Sequence, residues 1–118
     1  MRLLLNIGLA REGKSNIGVG TALRDLALGG FTILRNAGYA SNTEHTLVVL
    51  ADHAGSTERV ANALFHICVL LGQDCIAVVN ETTGAQTLIG PRAHKWLPFN
   101  PDYFLTLNGT RLSQGLTS

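Results

Sequence analysis

The chain lacks any apolar run long enough to cross a membrane: apolar stretches such as residues 47–50 and 76–79 are only strand length. A span needs about 18 to 20 such residues. A charge excess is missing too, with nine Lys and Arg against eight Asp and Glu for a formal net charge of +1, so no general attraction to a nucleic acid polymer or an anionic membrane is expected. Any anionic ligand must be held by local cations. Cysteine is scarce: Cys68 and Cys75 stand alone, without the further ligands of a zinc site or the density of a disulfide scaffold. Both are expected as buried thiols. The opening Met1-Arg2-Leu3-Leu4-Leu5-Asn6-Ile7 is broken by Asn6 and Gly8 and followed by Arg11, Glu12 and Lys14, too short a run for a signal-peptide core. The expectation is a soluble, cytoplasmic protein.

What is present points to a folded chain. Its 118 residues suit a single domain, and 46% hydrophobic residues with 14% charged ones are too apolar a mixture for disorder. Residues 2–10 predict a strand and residues 12–20, with three glycines, a loop. Val19, Leu23, Leu26 and Ala27 share one face of a short helix that Gly29-Gly30 stops. Residues 31–39 and 46–51 predict two strands, and their short connection makes the pair antiparallel, since a parallel return needs a dozen or more residues. Ser56 is placed to cap a second helix with Glu58 in its first turn, and Val60, Leu64, Ile67, Cys68 and Leu71 form its apolar stripe. Gly72 closes that helix; residues 74–79 and 87–89 predict a final hairpin around Gly84.

The order β-α-β-β-α-β plus a hairpin predicts an α+β fold: an antiparallel sheet of the ferredoxin-like split βαβ kind, both helices on one face. The opposite face would need a cover, which a homo-oligomer, dimer or hexamer, would supply. All three prolines, the only Trp, and Phe99, Tyr103 and Phe104 fall in residues 90–104, an ordered irregular segment. From about residue 105 to 118 a loose tail is expected.

Gly8-Leu9-Ala10-Arg11-Glu12-Gly13-Lys14-Ser15 matches the phosphate-cradling pattern G-x-x-x-x-G-K-[ST] after a strand. In that reading the chain is a minimal nucleotide hydrolase: Lys14 meets the phosphates, Ser15 ligates Mg²⁺, and Asp52 ends the apolar metal-linked strand. Against it stand Gly18 and Gly20 where the helix should begin, the antiparallel pairing, and the short chain. A Gly and Lys surface loop is preferred. His45, His53, His66 and His94 lack metal-ligand spacing, no acid-base pair can be placed, and no catalytic group or cofactor is expected outside the loop match.

Arg59 in the first turn of the second helix, Arg92 and Lys95 beside Trp96, Phe99 and Asn100, and Arg111 further on would together suit a ligand with phosphates and a purine. The same aromatic segment would equally serve a structural or partner-binding protein as an interface.

Leu71-Gly72-Gln73-Asp74-Cys75-Ile76-Ala77-Val78, Leu88-Ile89-Gly90-Pro91-Arg92-Ala93, Trp96, and Phe99-Asn100-Pro101-Asp102-Tyr103-Phe104 carry a resemblance to small phage proteins of the Thoeris anti-defence type. Leu5-Asn6-Ile7-Gly8-Leu9 and Thr43-Glu44-His45-Thr46-Leu47-Val48-Val49 are similar as well. The resemblance implies a sponge in the host cytosol: a non-enzymatic homo-oligomer that binds a cyclic ADP-ribose isomer, with cyclic oligonucleotides as a further ligand class, and withholds it from an immune effector. Arg59, Arg92 and Arg111 are then the expected phosphate contacts, Phe99 and Asn100 the base contacts. Arg92 occupies the open position of Gly90-Pro91-Arg92-Ala93, and Arg111 lies beyond the matched stretch.

Overall fold

A computed structural model describes residues 1–11, 18–40 and 44–112. The strands are β1 (Arg2–Arg11), β2 (Thr32–Ala40), β3 (Glu44–Asp52), β4 (Ile76–Asn80) and β5 (Gln86–Ile89); the helices are α1 (Val19–Leu28) and α2 (Thr57–Leu70). All neighbouring strands are antiparallel, in the order β2-β3-β1-β4-β5. This is the expected split βαβ sheet, extended at one edge by β5.

The central strand explains the layering. Leu3, Leu5, Ile7 and Leu9 of β1 point to one face and pack with Ala22 and Leu26 of α1 and Val60, Leu64, Ile67 and Cys68 of α2. A strand apolar on one face alternates; β1 instead buries Leu3, Leu4, Leu5 and Ile7 in near-continuous sequence, because both of its faces are covered. Each fully buried Leu contributes about 1.5 to 3 kcal/mol. The α2 stripe falls as expected, and Ser56 caps it by accepting from the Arg59 backbone N–H at 3.2 Å. In α1 Leu26 is buried and Val19 and Leu23 pack partly against the core as expected, but the other buried residue is Ala22 and Ala27 is exposed: a ten-residue helix lying on a twisted sheet presents only a narrow stripe. Gly30 takes the left-handed backbone, φ +94°, that turns the chain from α1 into β2.

The second face is covered from within the chain. Leu4, Val48 and Val79 pack against Leu107 and Leu112, flanked by Phe99, Phe104 and Leu105. Residues 105–112 are therefore docked where a loose tail was expected, and residues 113–118 lie outside the described residues. The bare face that called for an oligomer is filled by this segment over its middle. Among the described residues no helix is long and apolar enough to cross a membrane.

Candidate functional site

The phosphate-loop reading fails on register. Gly8 pairs with Thr46, Ala10 with His45 and Arg11 with Glu44, so the first half of the pattern is strand whose backbone groups serve the ladder. Residues 12–15, including Lys14 and Ser15, lie outside the described residues. The helix that follows starts at Val19 with Gly18 as its N-cap, away from Lys14 and Ser15. Asp52 pairs with Arg2 at the other end of β1, about 20 Å of strand from Thr46 and Gly8. A metal-linked carboxylate must stand beside its loop, and antiparallel pairing removes it. Asp52 instead accepts from Arg2 Nε at 3.0 Å, and that hydrogen bond first, then the cation's charge, holds its carboxyl below the usual range.

The candidate cations are divided between the two ends of the sheet. Arg59 follows β3 at the Asp52 end, exposed on the first turn of α2. Arg92 follows β5, whose Ile89 pairs with Ile76 of β4, itself paired with Ile7 towards the far end of β1. About 17 Å of strand separates Arg2 from Ile7, so Arg59 and Arg92 of one chain do not face a common small ligand.

The other four candidates gather in the segment after β5, each with an internal partner. Arg92 Nη1 donates to Asp74 Oδ1 at 3.3 Å, and Trp96 Nε1 donates to Asp74 Oδ2 at 3.3 Å. Asp74 is buried, so one carboxylate clamps the 3₁₀ turn Ala93–Trp96 to the start of β4. The Arg92 backbone N–H adds a bond to the Asp74 carbonyl at 2.9 Å. Phe99 stacks on Phe104 with ring centroids 4.8 Å apart and joins the second core. Asn100 Oδ1 caps the next 3₁₀ turn by accepting from the Asp102 N–H at 3.0 Å, and Arg111 Nη1 donates to the Asp102 carbonyl at 2.8 Å. Phe99 and Asn100 thus hold the segment, while the Arg92 side chain and the Trp96 ring remain half in solvent beside exposed His94 and Lys95. Asp74 thus brings the Arg92 guanidinium and the Trp96 indole together, with His94 and Lys95 exposed on the same turn.

Asp74, not among the expected site residues, is the residue that organises this turn. Its signal was an acidic residue at the mouth of an apolar strand. Behind it Cys68 is fully buried and donates to the Gln73 carbonyl at 3.2 Å; Cys75 is half-buried, and neither is in a disulfide. Burial, then the neighbouring Cys75 and Asp74, pushes the Cys68 thiol up from 9.0 to about 12. Because the folded value is the higher one, the stability it contributes is whole below pH 9 and is lost as pH rises from 9 towards 12. Cys68→Ala should cost about 1 kcal/mol at neutral pH for the lost sulfur contacts. Its urea midpoint should then fall less steeply than that of the parent protein between pH 9 and 11; parallel curves would mean that Cys68 does not titrate there. Among the described residues no three His, Cys, Asp or Glu side chains converge as a metal site requires.

No protein-family model matches the chain, and no curated protein matches it. Among solved structures it is similar to a phage SAM lyase in complex with S-methyl-5'-thioadenosine, with 14% sequence identity over 72% of this chain and 82% of that one and a TM-score of 0.48.

Proposed function

We propose that the protein binds a small nucleotide-like signal, a cyclic ADP-ribose isomer, and sequesters it without cleaving it, as a phage anti-defence protein acting in the host cytosol. The observation that carries this reading is the clamped turn: a part-exposed Trp96 ring and the Arg92 guanidinium held by one buried carboxylate, with Lys95 exposed on the same turn. An indole face stacks a base, and guanidinium and ammonium groups bind phosphates. Preorganisation by Asp74 lowers the ordering cost of binding. Sequestration without turnover is favoured because Asp74 already accepts a hydrogen bond at each oxygen, which disfavours it as a general base. Arg59 enters the site only when a second subunit brings its α2 end to this turn, so the reading includes a homo-oligomer.

The test is calorimetric titration with glyco-cyclic ADP-ribose isomers, followed by heat denaturation and chromatography of the released ligand. Submicromolar binding with intact ligand is expected. Trp96→Ala should weaken it by about 1 to 3 kcal/mol, the worth of one stacked base. Arg59→Ala should weaken it as well if the site is shared between subunits. Absence of heat, or recovery of a cleaved ligand, would overturn the reading; exposed Leu97 beside Trp96 would then favour a protein contact.

A further inference from the structure

Helix α2 is apolar on its outer side as well as its inner one. Val60, Leu64, Ile67 and Cys68 are buried against the sheet. On the opposite side Phe65 and Val69, one turn apart, are 45% and 51% exposed, and Leu70 on the flank is 60% exposed. A helix that only covers a sheet needs one apolar face and polar residues outside it. Folding of a single chain therefore gives Phe65 and Val69 little to bury against.

The charges of α2 indicate what covers them. Glu58 and Arg59 both lie in its first turn, and its last turn holds no basic residue. The positive end of the helix dipole suits Glu58 and opposes Arg59, whereas the C-terminal end would welcome a cation. A second α2 laid antiparallel meets both needs, because Arg59 of each helix then comes to the C-terminal end of the other. Such a contact is self-complementary, as a two-fold interface must be.

The apolar pair also sets the register. When Phe65 faces the partner's Val69, the partner's Phe65 faces Val69. Arg59 lies six residues before Phe65. At 1.5 Å per residue it stands about 9 Å beyond the partner's Val69 along the axis. That is just past the C-cap Leu71, where the partner's chain leaves α2 and runs to Asp74. Asp74 is the residue that holds Arg92 and Trp96.

We propose that two copies of this chain pair through the outer faces of α2, antiparallel about a two-fold axis, with Phe65 against the partner's Val69 and Arg59 delivered to the partner's Trp96 turn. The proposal rests on the reading above that a second subunit brings Arg59 to that turn, and it names the surface that does so.

Sedimentation equilibrium of the full chain, without nucleotide, is expected to give a dimer or a higher even-numbered assembly. Phe65→Glu and Val69→Glu, both at exposed positions, should each raise the dimer dissociation constant at least tenfold with an unchanged circular dichroism spectrum. The register has its own test. A disulfide needs Cβ atoms about 3.5 to 4.5 Å apart, so only facing positions link readily. Phe65→Cys and Val69→Cys proteins mixed in equal amounts should form a cross-linked dimer under mild oxidation at least fivefold faster than either alone, with the parent chain as the blank for Cys68 and Cys75. A monomeric or odd-numbered parent, an assembly that survives both charged substitutions, or equal cross-linking in the mixture and the separate proteins would overturn the interface. No nucleotide enters these measurements. Their failure removes Arg59 from the site and leaves the Trp96 turn to the calorimetric test, while an absence of heat there leaves the dimer standing.

Discussion

Asn6→Ala is expected to cost about 2 to 4 kcal/mol and to free the C-terminal segment from the sheet. Asn6 is a buried amide, 6% exposed, in the middle of the central strand. Its Oδ1 accepts from the Leu105 N–H at 3.0 Å and its Nδ2 donates to the Leu105 carbonyl at 2.9 Å, so one side chain meets a backbone unit as a neighbouring strand would. Alanine leaves both Leu105 backbone groups without their Asn6 partners at the edge of the second core. An unsatisfied buried group costs about 1 to 3 kcal/mol, and the half-buried position of Leu105 lets water recover part of that. A second tie to the sheet comes from the Tyr39 hydroxyl, which donates to the Leu107 carbonyl, whereas the Leu112 N–H bond to the Phe104 carbonyl at 2.7 Å lies within the segment. Urea unfolding gives the cost, and hydrogen exchange at Leu105 and Leu112 gives the location. Faster exchange there with unchanged exchange in β1 and β3 is expected. A loss below about 0.5 kcal/mol would mean that Leu107 and Leu112 hold the segment by burial alone.

Asn6 also marks how far local pattern reaches. The α2 stripe, the Ser56 cap and the antiparallel β2-β3 pair are short-range features, and each is legible from spacing and turn residues. The partner of Asn6 is not: it lies at Leu105, a separation no periodicity encodes, although a polar residue inside an apolar strand announces that some partner exists. The cover for the second sheet face was missed for the same reason. Leu107 and Leu112 look like sparse tail residues until the segment folds back onto Leu4. The phosphate-loop pattern shows the opposite failure. Its residue types were right and its strand was real, but the motif needs a loop after Gly8, and β1 continues to Arg11. Among the site residues, Phe99 and Asn100 were correctly read as ordered, yet their contacts are to Phe104 and Asp102. Arg92 reads as a free cation in sequence, because Asp74 comes beside it only through the β4-β5 hairpin.

Gly90→Ala is expected to be the most disruptive change at the Trp96 turn, costing about 2 to 4 kcal/mol and unseating the indole. Gly90 joins β5 to the turn and lies against the entry to β4. A Cβ there would sit 2.6 Å from the Asp74 carbonyl oxygen, 2.6 Å from Cys75 Cα and 3.0 Å from Cys68 Sγ. The first two are backbone atoms of the same short stretch, so no rotamer change relieves them and the chain itself must shift. Overpacking of this kind costs about 1 to 3 kcal/mol before any bond is lost. The Asp74 carbonyl that must move is the acceptor of the Arg92 N–H, and the Asp74 carboxylate holds Arg92 and Trp96. Strain at Gly90 is therefore transmitted directly to the clamp. Gly84→Ala is the comparison: it has φ +76° but nothing within 4 Å of a new Cβ, so it should cost about 1 to 2 kcal/mol of backbone strain and leave the turn alone. Because Trp96 is the only tryptophan, its fluorescence in the folded state reports the clamp while urea unfolding reports stability. A red-shifted folded-state emission in Gly90→Ala, absent in Gly84→Ala, is the expected pair of results. Equal spectra with equal costs would show that the turn tolerates displacement of Asp74, and Asp74 would lose its place as the residue that fixes the aromatic face.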